Sequence, residues 1–189
     1  MAGIKQIDTN RILDGLGQDQ WLLKALDDHL TGTFSKNRPN VFYPSQLGNT
    51  CNRFLYLAYN GLLIPAPLPA QTQRIFDTGN SLEERMERYF TDMGILEDRE
   101  KVVTCELPPI SGRADFLIRH KENGTIIIEL KSINSNNFSH LKTAPKPEHS
   151  LQLQIYLNCL DIEHGVVLYE NKNDQQLKAF RLEKNIKIT

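Results

Sequence analysis

The sequence predicts an α/β chain of the α+β type, with helices first and a β-sheet after them. Three observations carry that reading. Up to about residue 93 the apolar residues recur at helical spacing. From Lys101 the period switches to two through KVVTCEL, GRADFLIR and TIIIELK. HSLQLQIYLNCL then returns to helical period before a last pair of alternating runs. At 189 residues there is enough chain for one full core and too little for two ordinary ones. Residues 1–189 therefore read as a single domain, with a helical N-terminal part over 1–70 and a core over 71–189.

In chain order, Leu13, Leu16, Trp21, Leu22, Leu23, Leu26 and Leu30 predict one or two short helices between Asn10 and Leu30, interrupted by Gly15 and Gly17. GTFSKNRPNVFYPSQL is turn-rich. It offers Ser45 as an N-cap for a helix through CNRFLYLAYNGL that ends at Gly61. IPAPLPA is a proline-rich surface connection. Gln73 to Met93 predicts a helix with Ile75, Phe76, Leu82, Met86, Tyr89 and Phe90 inward. The three alternating segments that follow form a β-meander, with ENG as the turn between the second and third. SINSNNFSHLKTAPKP reads as a polar loop, and HGVVLYENKNDQQLKAFRL as a closing hairpin.

Composition narrows the function classes. With 40% hydrophobic and 24% charged residues the chain is globular, and a net charge of −1 excludes a protein that coats nucleic acid by bulk positive charge. MAGIKQIDTN contains no apolar stretch of signal-peptide length, and no run is long enough to enter a membrane, so a cytoplasmic, intracellular location is expected. Cys51, Cys105 and Cys159 stand far apart without CxxC spacing and read as free thiols.

TIIIELK places Glu129 and Lys131 in a strand that otherwise belongs in a core. Alternation puts Ala114, Phe116 and Ile118 on one face of the preceding strand, and Arg113, Asp115, Leu117 and Arg119 on the other. A three-residue loop, Glu122-Asn123-Gly124, pairs Lys121 with Thr125 and brings Ile126, Ile128 and Leu130 onto the apolar face. In that register Asp115 faces Lys131 and lies diagonal to Glu129, about 7 Å away between Cβ atoms. Two readings fit such a cluster: a salt-bridge ladder between Asp115 and Lys131, or a cation held by the two carboxylates with Lys131 alongside.

GRADF, IIIELKS and QLQIY together resemble the PD-(D/E)XK nuclease superfamily, in its RecB-like exonuclease branch. An Asp on one strand and Glu-x-Lys on the next precede a helix bearing Gln-x-x-x-Tyr, here Asp115, Glu129, Lys131, Gln152 and Tyr156. YPSQLGNTCNRFLY is similar to the Cys-x-Arg entry segment of that branch, which includes CRISPR-associated and phage or mitochondrial genome-maintenance exonucleases. The resemblance spans roughly residues 42 to 169 and implies a restriction-endonuclease-like core with a central mixed β-sheet flanked by helices.

The resemblance implies a divalent-metal-dependent deoxyribonuclease. Asp115, Glu129, the Leu130 carbonyl and Glu83 would hold Mg²⁺ or Mn²⁺, while Lys131 would act on the attacking water or the scissile phosphate. Glu83 stands where many relatives carry a His. Glu84 is the competing ligand, and the structural alternative is that Ser81-x-x-Glu84 forms a capping box with the acidic residues favoured in a first helical turn. Gln152 and Tyr156 share a helical face and would contact DNA; Tyr156 reads equally as a half-buried aromatic. Arg53 and Arg113 are candidate phosphate clamps, Arg113 being able instead to pair with Asp115, and Lys142 and Lys146 lie in a loop that could guide a single strand. His140 and His149 lack ligand spacing and receive no role.

Iron-sulfur relatives use one early and three late cysteines. Cys51 matches the early one but nothing follows Cys159, so no cluster is expected and Cys51 reads as a small buried hydrophobe. The expected partner is DNA, as single- or double-stranded ends. In the absence of GxxxxGK[ST], unwinding falls to a separate helicase or recombination protein. The implied activity is exonucleolytic, in recombination, repair or phage DNA processing. The alternatives are a structure-selective or restriction-type endonuclease, or a non-catalytic DNA-binding adaptor.

Overall fold

The computed structural model describes residues 20–31, 38–64 and 66–186. Its elements are α1 (Gln20–Leu30), α2 (Pro44–Leu47), α3 (Asn52–Tyr59), α4 (Ala70–Asp92), β1 (Leu96–Cys105), β2 (Ile110–His120), β3 (Gly124–Ile133), α5 (Ser135–His140), α6 (Pro147–Leu160), β4 (His164–Asn171) and β5 (Leu177–Glu183). The chain divides into two units, Met1–Lys36 with Pro65–Asp77, and Asn37–Ile64 with Thr78–Thr189. In the first, α1 buries no residue, and Asp27 pairs with Arg74 at 2.7 Å. The helical reading upstream of Gln20 lies outside the described residues.

The second unit is built on a five-stranded sheet in the order β1-β2-β3-β4-β5. The meander is realised, with β1, β2 and β3 antiparallel, and β4–β5 forms the closing hairpin. β3 and β4 are parallel, which requires a crossover, and α5 and α6 supply it. The sheet is thus mixed and flanked by helices. On one face Leu153, Tyr156 and Leu157 of α6 pack over Leu117, Ile127, Val167 and Tyr169. On the other, Leu82, Met86 and Phe90 of α4 cover Phe116, Ile126, Ile128 and Leu130. Because β3 is covered on both sides it reads as a continuous apolar run, and Ile127, on the face alternation gave to the charges, is fully buried.

Several expectations are corrected. α4 begins at Ala70, so Ser81 lies inside a helix and the capping box does not form; acidic residues at 83 and 84 owe nothing to a helix start. Leu82, Met86 and Phe90 are inward, but Ile75, Phe76 and Tyr89 are exposed. Ser45 sits within α2; the N-cap position of α3 is Cys51, whose backbone N–H donates to Asn49 Oδ1 at 2.9 Å. Gly61 does follow α3, with φ +66°. The polar loop after β3 contains α5, capped by Asn134, whose side chain accepts from the Asn137 N–H. Cys105 and Cys159 form a disulfide across 54 residues instead of remaining free thiols, and Cys51 is exposed instead of buried.

The hairpin register also differs. His120 pairs with Gly124, leaving Lys121–Asn123 as the loop, and Gly124 uses its positive φ of +69° in the closing pair. His120 Nδ1 accepts from the N–H groups of Glu122 and Asn123, both at 3.2 Å, which fixes a three-residue turn one position earlier than expected. A two-residue shift keeps every side chain on its face but moves Asp115 from opposite Lys131 to the level of Glu129. No described helix is long and apolar enough to cross a membrane.

Candidate active site

β2 and β3 pair only from Phe116↔Ile128 to His120↔Gly124. Toward its start β2 departs from regular alternation. Ala114 joins the core beneath α6 while Phe116 joins the core beneath α4, although two residues apart should share a face. The ladder to β1 skips Asp115 and Glu100, and Glu100 has left-handed backbone with φ +49°. Asp115 therefore sits at a twist where β2 parts from β3. Its Oδ2 accepts the Leu130 N–H at 2.7 Å, filling the place a strand carbonyl would take. A residue's N–H and C=O leave a strand on the same side, so the Leu130 carbonyl faces the same fork.

Glu129 is 1% exposed. Its Oε1 accepts from Lys131 Nζ at 2.6 Å, and its Oε2 is buried with no hydrogen-bond partner. Glu83 reaches the fork from α4. Burial, and then the Asp115 charge, raise its carboxyl above the ordinary range. Burial and the nearby Glu129 push Asp115 up to about 7. Burial likewise raises Glu129, against the pull of Lys131. For Lys131 burial works downward, but Glu129 and Asp115 outweigh it and hold the ammonium above its ordinary pKa. Three carboxyls thus share one ammonium in a site from which water is largely excluded.

Such a donor set fits a divalent cation: hard oxygen ligands, excess negative charge and one buried carboxylate oxygen without a partner. Among the described residues no three His, Cys, Asp or Glu side chains converge as a ready-made ligand group. The reason is local. The Leu130 N–H holds one carboxylate and Lys131 the other, each standing in for part of the missing positive charge. A four-thiolate cluster does not fit, because the sequence has three cysteines and two of them are joined.

The remaining sequence candidates separate. Gln152 and Tyr156 are 6% and 2% exposed, and Gln152 Nε2 donates to the Tyr156 hydroxyl at 3.2 Å. They face each other behind the fork, so the open DNA contact expected of them is not offered in this conformation. Burial and then the Glu129 charge keep the Tyr156 hydroxyl protonated. Gly112 of GRADF permits that packing: a Cβ there would lie 3.1 Å from both Tyr156 Cε1 and Pro44 Cδ. Arg113 pairs with Glu100 at 3.1 Å and not with Asp115. Arg53 and Lys142 are exposed, and neither is hydrogen-bonded or ion-paired to the acidic cluster among the described residues. Glu84 is exposed, whereas Glu83 feels Asp115 and Lys131.

Two groups had no legible signal. His149, given no role by its spacing, shares a hydrogen bond with the Tyr169 hydroxyl at 2.8 Å. Burial and then the Lys131 charge bring its pKa down to about 4, so it stands neutral beside the site. Arg85 of α4 binds both oxygens of buried Glu170, at 2.6 and 2.5 Å, across 85 residues.

No family model matches the chain. The curated CRISPR-associated exonuclease Cas4 of Saccharolobus solfataricus is 38% identical over 155 residues, covering 78% of this chain and 70% of that protein. The crystal structure of SSO0001 superposes with a TM-score of 0.56 at 22% identity, over 91% of this chain and 79% of that one. The alkaline exonuclease LHK-Exo of Laribacter hongkongensis gives 0.53 at 17% identity, over 86% and 82%. LHK-Exo in complex with dAMP gives 0.52 at 18% identity, over 79% and 80%. The structural likenesses establish the fold, and the extent of the sequence match establishes the lineage: the chain belongs to the Cas4 exonuclease family, within the RecB-like branch of the PD-(D/E)XK nucleases.

Proposed function

We propose that this chain is a divalent-metal-dependent DNA exonuclease acting in phage defence, recombination or repair, with its catalytic centre in the fork between β2 and β3. The carrying observation is the buried Glu129 carboxylate, one oxygen held by Lys131 and the other without a partner, level with Asp115. Asp115, Glu129, Glu83 and the Leu130 carbonyl are the groups that would hold Mg²⁺ or Mn²⁺. When bound, such an ion supplies Lewis acidity and a hydroxide nucleophile at neutral pH.

The chain's own residues do the rest. Lys131, whose ammonium Glu129 and Asp115 hold above its ordinary pKa, would orient the attacking water or neutralise charge on the scissile phosphate. Tyr156 and Gln152 close the fork from the α6 side, excluding water and fixing the Glu129 side of the site. Exposed Arg53, Arg113 and Lys142 are candidates for sequence-independent contact with DNA phosphates. A single nuclease domain whose core lies beyond residue 70 completes the reading.

The test is a gel assay on linear and closed-circular DNA, single- and double-stranded, with Mg²⁺, Mn²⁺ or EDTA. Degradation of linear DNA that EDTA abolishes is the expected result. Nicking of closed circles would replace the exonuclease with an endonuclease on the same scaffold, and inactivity on every substrate with binding retained would make the chain an adaptor.

A further inference from the structure

On α4 each residue is rotated about 100° from the last, so Leu82 separates two sides of the helix. Glu83 lies toward the β2–β3 fork. Thr78, Ser81 and Arg85 form the stripe on the opposite side, above the C-terminal ends of the parallel strands β3 and β4. There a cavity of about 340 Å³ opens, lined on the helix side by that stripe and Leu82. Ser132, Glu170, Lys172 and Gln175 line it from the sheet. Ser132 directly follows Lys131 in β3, so the two side chains leave opposite faces of the strand, and the cavity lies on the α4 face. In open sheets with parallel strands, the space beyond the carboxyl ends of those strands is where ligands enter.

The cavity's chemistry selects an anion with a polar body. Its one carboxylate, Glu170, is neutralised by Arg85 through both oxygens. Arg85 Nε is buried with no acceptor. Lys172 is exposed and makes no ion pair among the described residues, leaving one uncompensated positive charge. The hydroxyls of Ser81 and Ser132 flank it, and Leu82 is the single apolar lining residue. The volume is at the small end of ligand sites, about 300–1,000 Å³, enough for one nucleotide and too little for a base pair with both backbones.

We propose that this cavity holds the sugar and phosphate of one nucleotide of the bound strand, outside the acidic fork, with Lys172 on its phosphate and Ser81 and Ser132 donating to it. The site rests on the nuclease reading and extends it: the cavity has room for the backbone of a single strand only. Recognition is of backbone and independent of base, because every group but Leu82 is polar and no aromatic ring is present for stacking.

The experiment follows binding of a fluorescein-labelled oligothymidylate in EDTA by anisotropy between 50 and 200 mM salt, and cleavage of the same strand in Mn²⁺. The proteins are the wild type, Lys172→Ala, Ser132→Ala, and as charge control Lys121→Ala in the distant β2–β3 turn. Lys172→Ala weakens binding several-fold, lowers the slope of log K against log salt by about 0.7, one contact on a single strand, and raises KM. Ser132→Ala weakens binding with the slope unchanged, and Lys121→Ala matches the wild type. If Lys172→Ala matches Lys121→Ala in affinity, slope and KM while the wild type cleaves, the cavity is not a substrate site. If the wild type neither binds nor cleaves, the nuclease reading fails as well.

Discussion

Replacing Lys131 by Met tests the electrostatics of the fork through stability alone. Among the described residues the ammonium is the only hydrogen-bond donor to Glu129, whose carboxyl is 99% buried and whose charge is close enough to Asp115 to raise that carboxyl's pKa. Removing one partner of a buried pair typically costs about 3–5 kcal/mol, because the other charge stays buried. For a chain of this size each kcal/mol moves the melting temperature by about 2–4 °C, so Lys131→Met in EDTA should melt about 6–20 °C below the wild type. The loss depends on pH. Glu129 has a folded pKa above its unfolded one, so its penalty is absent below the unfolded value and grows as pH rises to the folded one. The variant should therefore be nearer the wild type at pH 5 than at pH 8. Adding Mn²⁺ should restore stability by about 2.7 kcal/mol at a hundred times its Kd, since a cation takes the place of the ammonium. Thermal melts followed by circular dichroism measure all three. A variant as stable as the wild type in EDTA at pH 8, or one that Mn²⁺ leaves unchanged, would refute the reasoning.

In the metal-free wild type Asp115 titrates at about 7, above its unfolded value, so this site's contribution favours stability near pH 5 over pH 8. Protons compete with the cation at that carboxylate, so Mn²⁺ affinity should strengthen from pH 6 to pH 8, which titration calorimetry at the two values reads. Arg85→Leu leaves Glu170 buried and unpaired, and urea denaturation should show a loss of about 3 kcal/mol. Arg85→Leu with Glu170→Leu should recover most of that loss. Gly112→Ala puts a methyl 3.1 Å from the Tyr156 ring and from Pro44; a destabilisation of about 1–3 kcal/mol with reduced cleavage is expected, and an unaffected enzyme would show that this close approach is not needed.

The strands were legible because their signal is local. Ile126, Ile127 and Ile128 cannot sit still in anything but a buried strand, and GRADF with ELK placed acid beside acid in any even register. The register itself was legible only to within two residues: Asn123-Gly124 marks a turn, but whether Gly124 closes the strand or belongs to the loop depends on His120 folding back on two backbone N–H groups. Alternation along β2 failed at Asp115 because the break is made with Glu100 on another strand, and nothing near residue 115 announces it. The capping box failed for a similar reason: Ser81-x-x-Glu84 is a valid cap in isolation, but α4, expected from Gln73 and begun at Ala70, was already eleven residues old at Ser81. Long-range partners left no trace at all. Cys105 with Cys159, Arg85 with Glu170 and His149 with Tyr169 are brought together by the crossover and by α4 lying on the sheet.

The most direct test is calorimetric titration of Mn²⁺ into the wild type, Asp115→Asn, Glu129→Gln and Lys131→Met at pH 8. The fork described here predicts a bound ion in the wild type and in Lys131→Met, and loss of that binding in Asp115→Asn and in Glu129→Gln alike. Undiminished uptake by both carboxamide variants, or none by the wild type, would contradict it.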